Sequence, residues 1–281
     1  MTSITFHIHN RDVKNPDRQC TSLLTPDEEN RFVGEGFVIP AQRVLSAAVT
    51  ALGEVVNALA ATRFSSAAEK TYQDEFPGQY IRDPHKADPQ IITTLLLDYP
   101  LADTARSLLG PRIVLRNSNI RITHARSGDS TIWHTDYRPH ISPAPRLGDV
   151  PAVITALIYL DPADAQTGPL YVLPGSHHTP AQPPATMSSL AEQAELVIAP
   201  GQVVLMNAAL WHRGGPNISH DRTRRLITLQ LSSIFMSAHS FAVTQPSAAY
   251  ARLAEEARKR DDEPLLELLG LGGIDPVSAL Y

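Results

Sequence analysis

The sequence predicts an α+β, mainly β fold: a sandwich or jelly roll with helices packed on it. Three observations carry that reading. Before residue 110 the apolar residues fall mostly at helical spacing; from residue 111 short β-branched or alternating runs follow one another between Gly, Pro, Asn and Asp; after residue 245 a helical pattern returns. Strands do not alternate with helices as βαβ units would require. The expected organisation is one domain over residues 1–281, with a helical buttress at about 25–110, a β core at about 111–236 and a C-terminal helical segment at about 245–281.

Residues 1–24 show no clear period and read as an arm. Thr25-Pro26-Asp27-Glu28-Glu29 starts a helix, because Thr caps, Pro fits the first helical position and acids suit the first turn. That helix is expected to stop near Gly34 or Gly36, with Phe37-Val38-Ile39 following as a short strand. Ala, Leu and Val at helical spacing over 41–64 predict a second helix, and 89–109 one or two more, broken at Pro100. Strands are expected at Ile113–Thr123, Ile132–Asp136, Ala152–Leu160, Leu170–Leu173, Leu196–Ile198, Val203–Met206 and Leu226–Ile234. Residues 247–260 predict a late helix, and Leu265–Leu269 a weaker helical patch.

Composition narrows the class. A chain of 281 residues can bury a large core, and 43% hydrophobic with 19% charged residues is ordinary for a globular protein. A formal net charge of −5 offers no basic surface to nucleic acid. No run of about 18 apolar residues exists and Met1–Cys20 has no apolar leader, so neither a membrane span nor a signal peptide is expected. The single cysteine, Cys20, permits no intramolecular disulfide and no thiolate cluster, which fits a reducing, cytoplasmic setting. With 23 prolines and 6% aromatics, short elements joined by stiff loops are expected. Oligomeric state is left open.

One constellation carries chemistry. His134 and Asp136 are two apart in an expected strand, so both side chains face one cavity as an N,O pair. His212 lies 76 residues after Asp136, beyond another expected strand, and completes a set of two His and one carboxylate. Such a set on one face of an octahedron leaves three positions open, as non-haem iron(II) oxygenases require. By residue type alone it also suits a zinc or manganese hydrolase or isomerase, or a jelly-roll binding protein without activity. Asn117, Asn119 and Arg121 alternate on the preceding strand, and polar residues facing into a barrel need partners or a ligand.

Three blocks resemble the phytanoyl-CoA dioxygenase family of iron(II)/2-oxoglutarate enzymes. They are Trp133-His134-Thr135-Asp136; Ala156–Asp161 continuing through Thr167-Gly168-Pro169 to Pro174-Gly175-Ser176-His177; and Pro200–Met206 continuing through Leu210-Trp211-His212 and Gly215-Pro216-Asn217 to Arg224-Arg225. Thr25–Ile39 is similar to the family's first helix and strand, so the likeness spans roughly residues 25–235. The resemblance implies a double-stranded β-helix (jelly roll, cupin-like) and a dioxygenase using Fe(II), 2-oxoglutarate and O2 on a small-molecule substrate, releasing succinate and CO2. It implies His134, Asp136 and His212 as metal ligands. The family's co-substrate arginine about eleven residues after the distal His falls here on Thr223; aligning the next strand gives Arg224, with Arg225 as the second choice. Asn117 and Thr155 are further candidates for the co-substrate pocket. Halogenating relatives replace the carboxylate by Gly or Ala, so Asp136 implies hydroxylation or a related oxidation.

Around the substrate, Tyr137, Arg138 and His140 follow the ligands on a Pro-rich loop, and Phe235 and Met236 end the last expected strand. Trp133 and Trp211 are expected to pack, and His177 and His178 to be structural. Residues 66–88 and the tail after 236 are candidate lids. A specialised metabolite or an amino-acid-like compound is the expected substrate, because no basic cluster for coenzyme A phosphates is evident.

Overall fold

A computed structural model describes residues 1–8, 16–63, 79–128, 130–137, 151–234, 236 and 245–272. Its centre is a six-stranded sheet in the order β3-β9-β6-β11-β5-β4, every neighbouring pair antiparallel. The strands are β3 (Phe37–Val38), β4 (Gln79–Arg82), β5 (Ile113–Thr123), β6 (Val153–Tyr159), β9 (Val203–Asn207) and β11 (Arg224–Ser233). A smaller sheet, β10-β7-β8, holds β7 (Leu170–Val172), β8 (Ala194–Leu196) and β10 (His212–Gly214).

The helices follow from local chemistry. In α1 (Pro26–Glu35) Thr25 and Glu28 form a reciprocal capping box, and Gly36 closes the helix at φ 85°, a left-handed conformation that suits glycine. α2 is Ser46–Arg63, followed among the described elements by the one-turn α3 (Pro84–Ala87) and α4 (Gln90–Ile92). α4 runs into a π-helical stretch, Thr93–Asp98, closed by Tyr99 N–H donating to Thr94 O at 3.0 Å. Then come α5 (Leu101–Leu109) after Pro100, α6 (Ala248–Lys259) and α7 (Glu263–Leu268).

The large sheet has two faces with different neighbours. Ile154, Ala156 and Ile158 of β6, Val203 and Leu205 of β9, and Ile227, Leu229 and Leu231 of β11 join the helical residues Leu52, Val56, Leu95 and Leu101 in one buried cluster. The intervening Leu157 and Tyr159, with Val204 and Met206, pack instead with Leu170, Val172, Ile198 and Leu210 in a second. Strand periodicity sends alternate residues to opposite faces, which is why one strand serves both cores.

Several expectations need correction. Residues 1–24 are not an arm: β1 (Thr2–His7) and β2 (Asp17–Ser22) form an antiparallel hairpin, with Thr2 opposite Ser22. Its inward residues include Arg18 and Ser22, which hid the alternation. Arg18 is buried because α7 supplies Glu263 at 3.1 Å and Glu267 at 3.5 Å. Ile132–Asp136 is not a strand; only His134 bridges, to His212. Ile198 bridges Ala163 outside β8. Two strands, β4 and β10, were not expected, being four and three residues long with charged members. No described helix is long and apolar enough to cross a membrane.

Candidate metal centre

His134 and His212 face each other across a single antiparallel bridge, each N–H donating to the other's carbonyl at 3.0 Å. Directly opposed residues project to the same side, which brings the two imidazoles to 4.2 Å between ring centroids. The bridge therefore does the work that a continuous strand was expected to do. Each ring places its Nδ1 against a carbonyl two residues back: His134 on Ile132 O at 2.8 Å and His212 on Leu210 O at 3.0 Å. An Nδ1–H donated there leaves Nε2 as the lone-pair nitrogen, the tautomer a metal ligand needs.

Both Nε2 atoms approach Asp136 Oδ1, at 4.0 Å from His134 and 3.5 Å from His212. One ligand atom from each residue lies within 4.8 Å of the other two. Ligands about 2.1 Å from a shared ion on adjacent octahedral positions stand about 3 Å apart, so a small inward movement suffices. Asp136 Oδ2 is buried without a partner, a cost that a cation would remove. The donor set and this orphaned oxygen fit a divalent ion.

The electrostatics agree. Burial alone would raise the Asp136 carboxyl, but His212, His134 and the Thr155 hydroxyl outweigh it and hold the group well below the ordinary carboxylate range. Burial would lower His212, yet the Asp136 carboxylate raises it. Burial, then the neighbouring His212, lowers His134, whose side chain, 37% exposed, forms the open side of the triad. Thr155 Oγ and Asp136 Oδ2 make no hydrogen bond of normal geometry, so the hydroxyl acts on Asp136 at longer range.

Thr155 belongs to a polar row across the sheet. Gln230 of β11 stands opposite Thr155 of β6 on one side and Asn117 of β5 on the other. Asn117 Nδ2 donates to Gln230 Oε1 at 2.7 Å, while Asn117 Oδ1 and Thr155 Oγ stay buried and unpaired. Between Asn117 and Leu115 the pairing with β11 slips by one residue, making Arg116 the extra residue of a β-bulge. Its guanidinium lies over the Tyr137 ring, 4.8 Å from the centroid.

Arg224 is buried at the start of β11. Its fork donates to Gly168 O and, at 3.3 Å, to Thr123 Oγ. Gly168 has φ 95°, and a Cβ there would collide with Gly215 O and the Arg224 guanidinium; only glycine allows this approach. Beside it, a Cβ on Gly214 would stand 3.7 Å from Arg121 Nη1 and 3.8 Å from Arg224 Nη2. Two guanidiniums thus converge two residues beyond His212. Burial raises the Tyr159 hydroxyl against the pull of both arginines and keeps it a neutral phenol.

Arg225 turns the other way. It clasps Asp161 with Nε and Nη2, both at 2.8 Å, and reaches Gly53 O and Asn57 Oδ1 at 3.3 Å, away from the triad. His177 and His178 both bond Val33 O near the end of α1, at 3.0 and 3.1 Å. Trp133 is buried and donates to Ser188 O at 2.9 Å. Arg138, His140 and Phe235 lie outside the described residues, as do 66–78 of the first candidate lid. A separate cavity of about 550 Å³, lined by Asn57, Gln79, His124, Arg222 and Arg225, contains none of the triad. Arg121, which the sequence places in the alternating polar row of β5, lies beside Arg224 at Gly214. The sequence reading does not include Gln230, although Thr228, Gln230 and Ser232 form a polar stripe that alternates with Ile227, Leu229 and Leu231.

The phytanoyl-CoA dioxygenase (PhyH) family matches residues 32–226, more than half of the chain. Dioxygenase af480 of Aspergillus fumigatus is 27% identical over 269 residues, covering 90% of this chain and 79% of that protein. The iron/alpha-ketoglutarate-dependent dioxygenase penM of Penicillium thymicola is 33% identical over 113 residues, 40% of this chain and 33% of its own length. Among solved structures, EctD from S. alaskensis with 2-oxoglutarate and 5-hydroxyectoine superposes with a TM-score of 0.62 at 19% identity, covering 89% of this chain and 94% of that one. The fold and the matched residues define a cupin-like, non-haem iron dioxygenase. The chain belongs to the phytanoyl-CoA dioxygenase family, and Fe(II) with 2-oxoglutarate is its cofactor set.

Proposed function

We propose that this protein hydroxylates a small organic substrate, with His134, Asp136 and His212 as the iron ligands. The observation that carries the reading is the convergence of two carbonyl-locked imidazoles on a carboxylate whose second oxygen is buried and unpaired. Iron(II) and 2-oxoglutarate, when bound, supply an oxidant from dioxygen, with succinate and CO2 released. Asp136 occupies the position that halogenating relatives leave to a halide, which supports hydroxylation.

The chain's own residues divide the remaining tasks. Arg224 takes the distal carboxylate of 2-oxoglutarate: a buried planar fork matches a carboxylate bidentately, and Thr123 at 3.3 Å helps to aim it. His212, then His134 and Thr155, keep Asp136 ionised, and Asn117 offers a hydrogen bond to whatever lies over the polar row. Trp133, buried and bonded to Ser188 O, packs next to His134 in the chain and anchors that segment. A zinc or manganese hydrolase on the same triad would have no use for Arg224. A specialised metabolite or amino-acid-like compound remains the reading for the substrate, and the buried, unpaired Cys20 suits a cytoplasmic setting.

Succinate release tests the proposal. Protein supplied with Fe(II), 2-oxoglutarate and O2 is expected to form succinate slowly without a substrate. His134→Ala and Asp136→Ala proteins are expected to form none. Equal succinate from the variants and the parent protein would remove the assignment.

A further inference from the structure

One guanidinium that neither the metal nor 2-oxoglutarate requires lies over the ring of the residue that follows Asp136. Arg116 enters the barrel wall only because β5 carries one residue more than β11 at this point. Bulges re-aim a side chain next to a site, and this one directs Arg116 onto the ring of Tyr137, the residue after the ligand Asp136. The cation–π contact holds the guanidinium beside the ring, and no hydrogen bond to a described residue takes up its N–H groups. No described carboxylate pairs with Arg116. The other site arginines have roles of their own: Arg224 is the one assigned to 2-oxoglutarate, and Arg121 packs at Gly214 beside it. Next to Arg116 in the chain, Asn117 keeps a buried oxygen without a partner, one strand away from Gln230 and two from Thr155.

We propose that Arg116, on its Tyr137 platform, docks a carboxylate of the substrate, so that the substrate class is a small organic acid. This rests on the oxygenase reading above. A single planar cation in a chain of net charge −5 suits a monoanion, and the fork matches the two oxygens of a carboxylate. With its acid group held there, the rest of the molecule lies along the row Asn117–Gln230–Thr155 toward the triad. A donor group on it can satisfy Asn117 Oδ1.

The test uses holoenzyme assembled with nickel(II) and 2-oxoglutarate, which binds without turning over. The probe is a panel of small carboxylic acids, each paired with its methyl ester and primary amide, and binding is read by ligand-observed NMR. Acids are expected to bind at least about tenfold more tightly than their esters and amides. Arg116→Gln is expected to abolish that preference, and Arg116→Lys to restore part of it, with the 2-oxoglutarate dissociation constant unchanged in both. The proposal is overturned by acids binding no better than their esters, by no binding of any acid, by an Arg116→Gln protein that keeps the preference, or by a variant whose loss falls on 2-oxoglutarate instead. Failure of the oxygenase reading looks different: the parent protein would then show no metal-dependent binding of 2-oxoglutarate.

Discussion

The two faces of the six-stranded sheet are made of the same strands and built to opposite standards. On the helical face Ile154, Ile158, Leu205, Ile227 and Leu229 close an apolar core, and the sheet's own Ser118 of β5 is partnered there by His85 at 2.6 Å. On the inner face one half is apolar, around Leu157, Val204 and Met206. The other half carries Asn117, Thr155, Gln230 and Arg224, with Asn117 Oδ1, Thr155 Oγ and Asp136 Oδ2 left unpaired. Packing does not account for those orphans, whereas a ligand does. The comparison of Arg224 with Arg225 makes the same point within one dipeptide: the inner arginine fits a ligand, and the outer one is spent on Asp161 and α2.

Perturbing each face should produce a different kind of loss. The largest effect belongs to the triad: His212→Ala should lose metal binding and all 2-oxoglutarate turnover while thermal unfolding stays cooperative, checked by metal analysis and succinate assay. On the opposite face, Leu229→Ala should cost about 2–5 kcal/mol in denaturant unfolding and leave metal affinity per folded molecule unchanged.

The buried His85 gives the helical face a pH signature. Burial, opposed by Asp83, lowers its pKa to about 4 from an ordinary 6.5. A depressed folded-state pKa means that the stabilisation is complete above about pH 6.5 and is lost as pH falls through about 4. The loss should reach up to about 3 kcal/mol, and His85→Gln should flatten that slope in urea titrations across the window. The smallest effect separates the neighbouring arginines. Arg224→Gln should weaken 2-oxoglutarate binding roughly 30-fold, about 2 kcal/mol, by calorimetry. Arg225→Gln should leave that binding intact and lower the melting temperature instead.

Much of this was legible in the sequence, and the rest was hidden for identifiable reasons. β5 falls at Ile113–Thr123 as expected because its β-branched run is long, and α1 begins where Thr25 and Glu28 form their capping box. His134, Asp136 and His212 could be singled out because residue type and context both pointed to them. The N-terminal hairpin was missed because its inward face is partly polar, with Arg18 balanced by Glu263 and Glu267, 245 and 249 residues further along the chain. The presentation of His134 by a lone bridge is a tertiary event with no local pattern. The bulge at Arg116 is a matter of register between two strands, and neither strand alone records it.

The central claim is that three side chains share one ferrous ion with room for 2-oxoglutarate beside it. Its most direct test is optical: Fe(II) and 2-oxoglutarate added anaerobically to the protein should give a weak visible charge-transfer band that neither produces alone. The parent protein is expected to show that band, and His134→Ala and Asp136→Ala to lose it. No band in the parent protein, or an undiminished band in both variants, would contradict it.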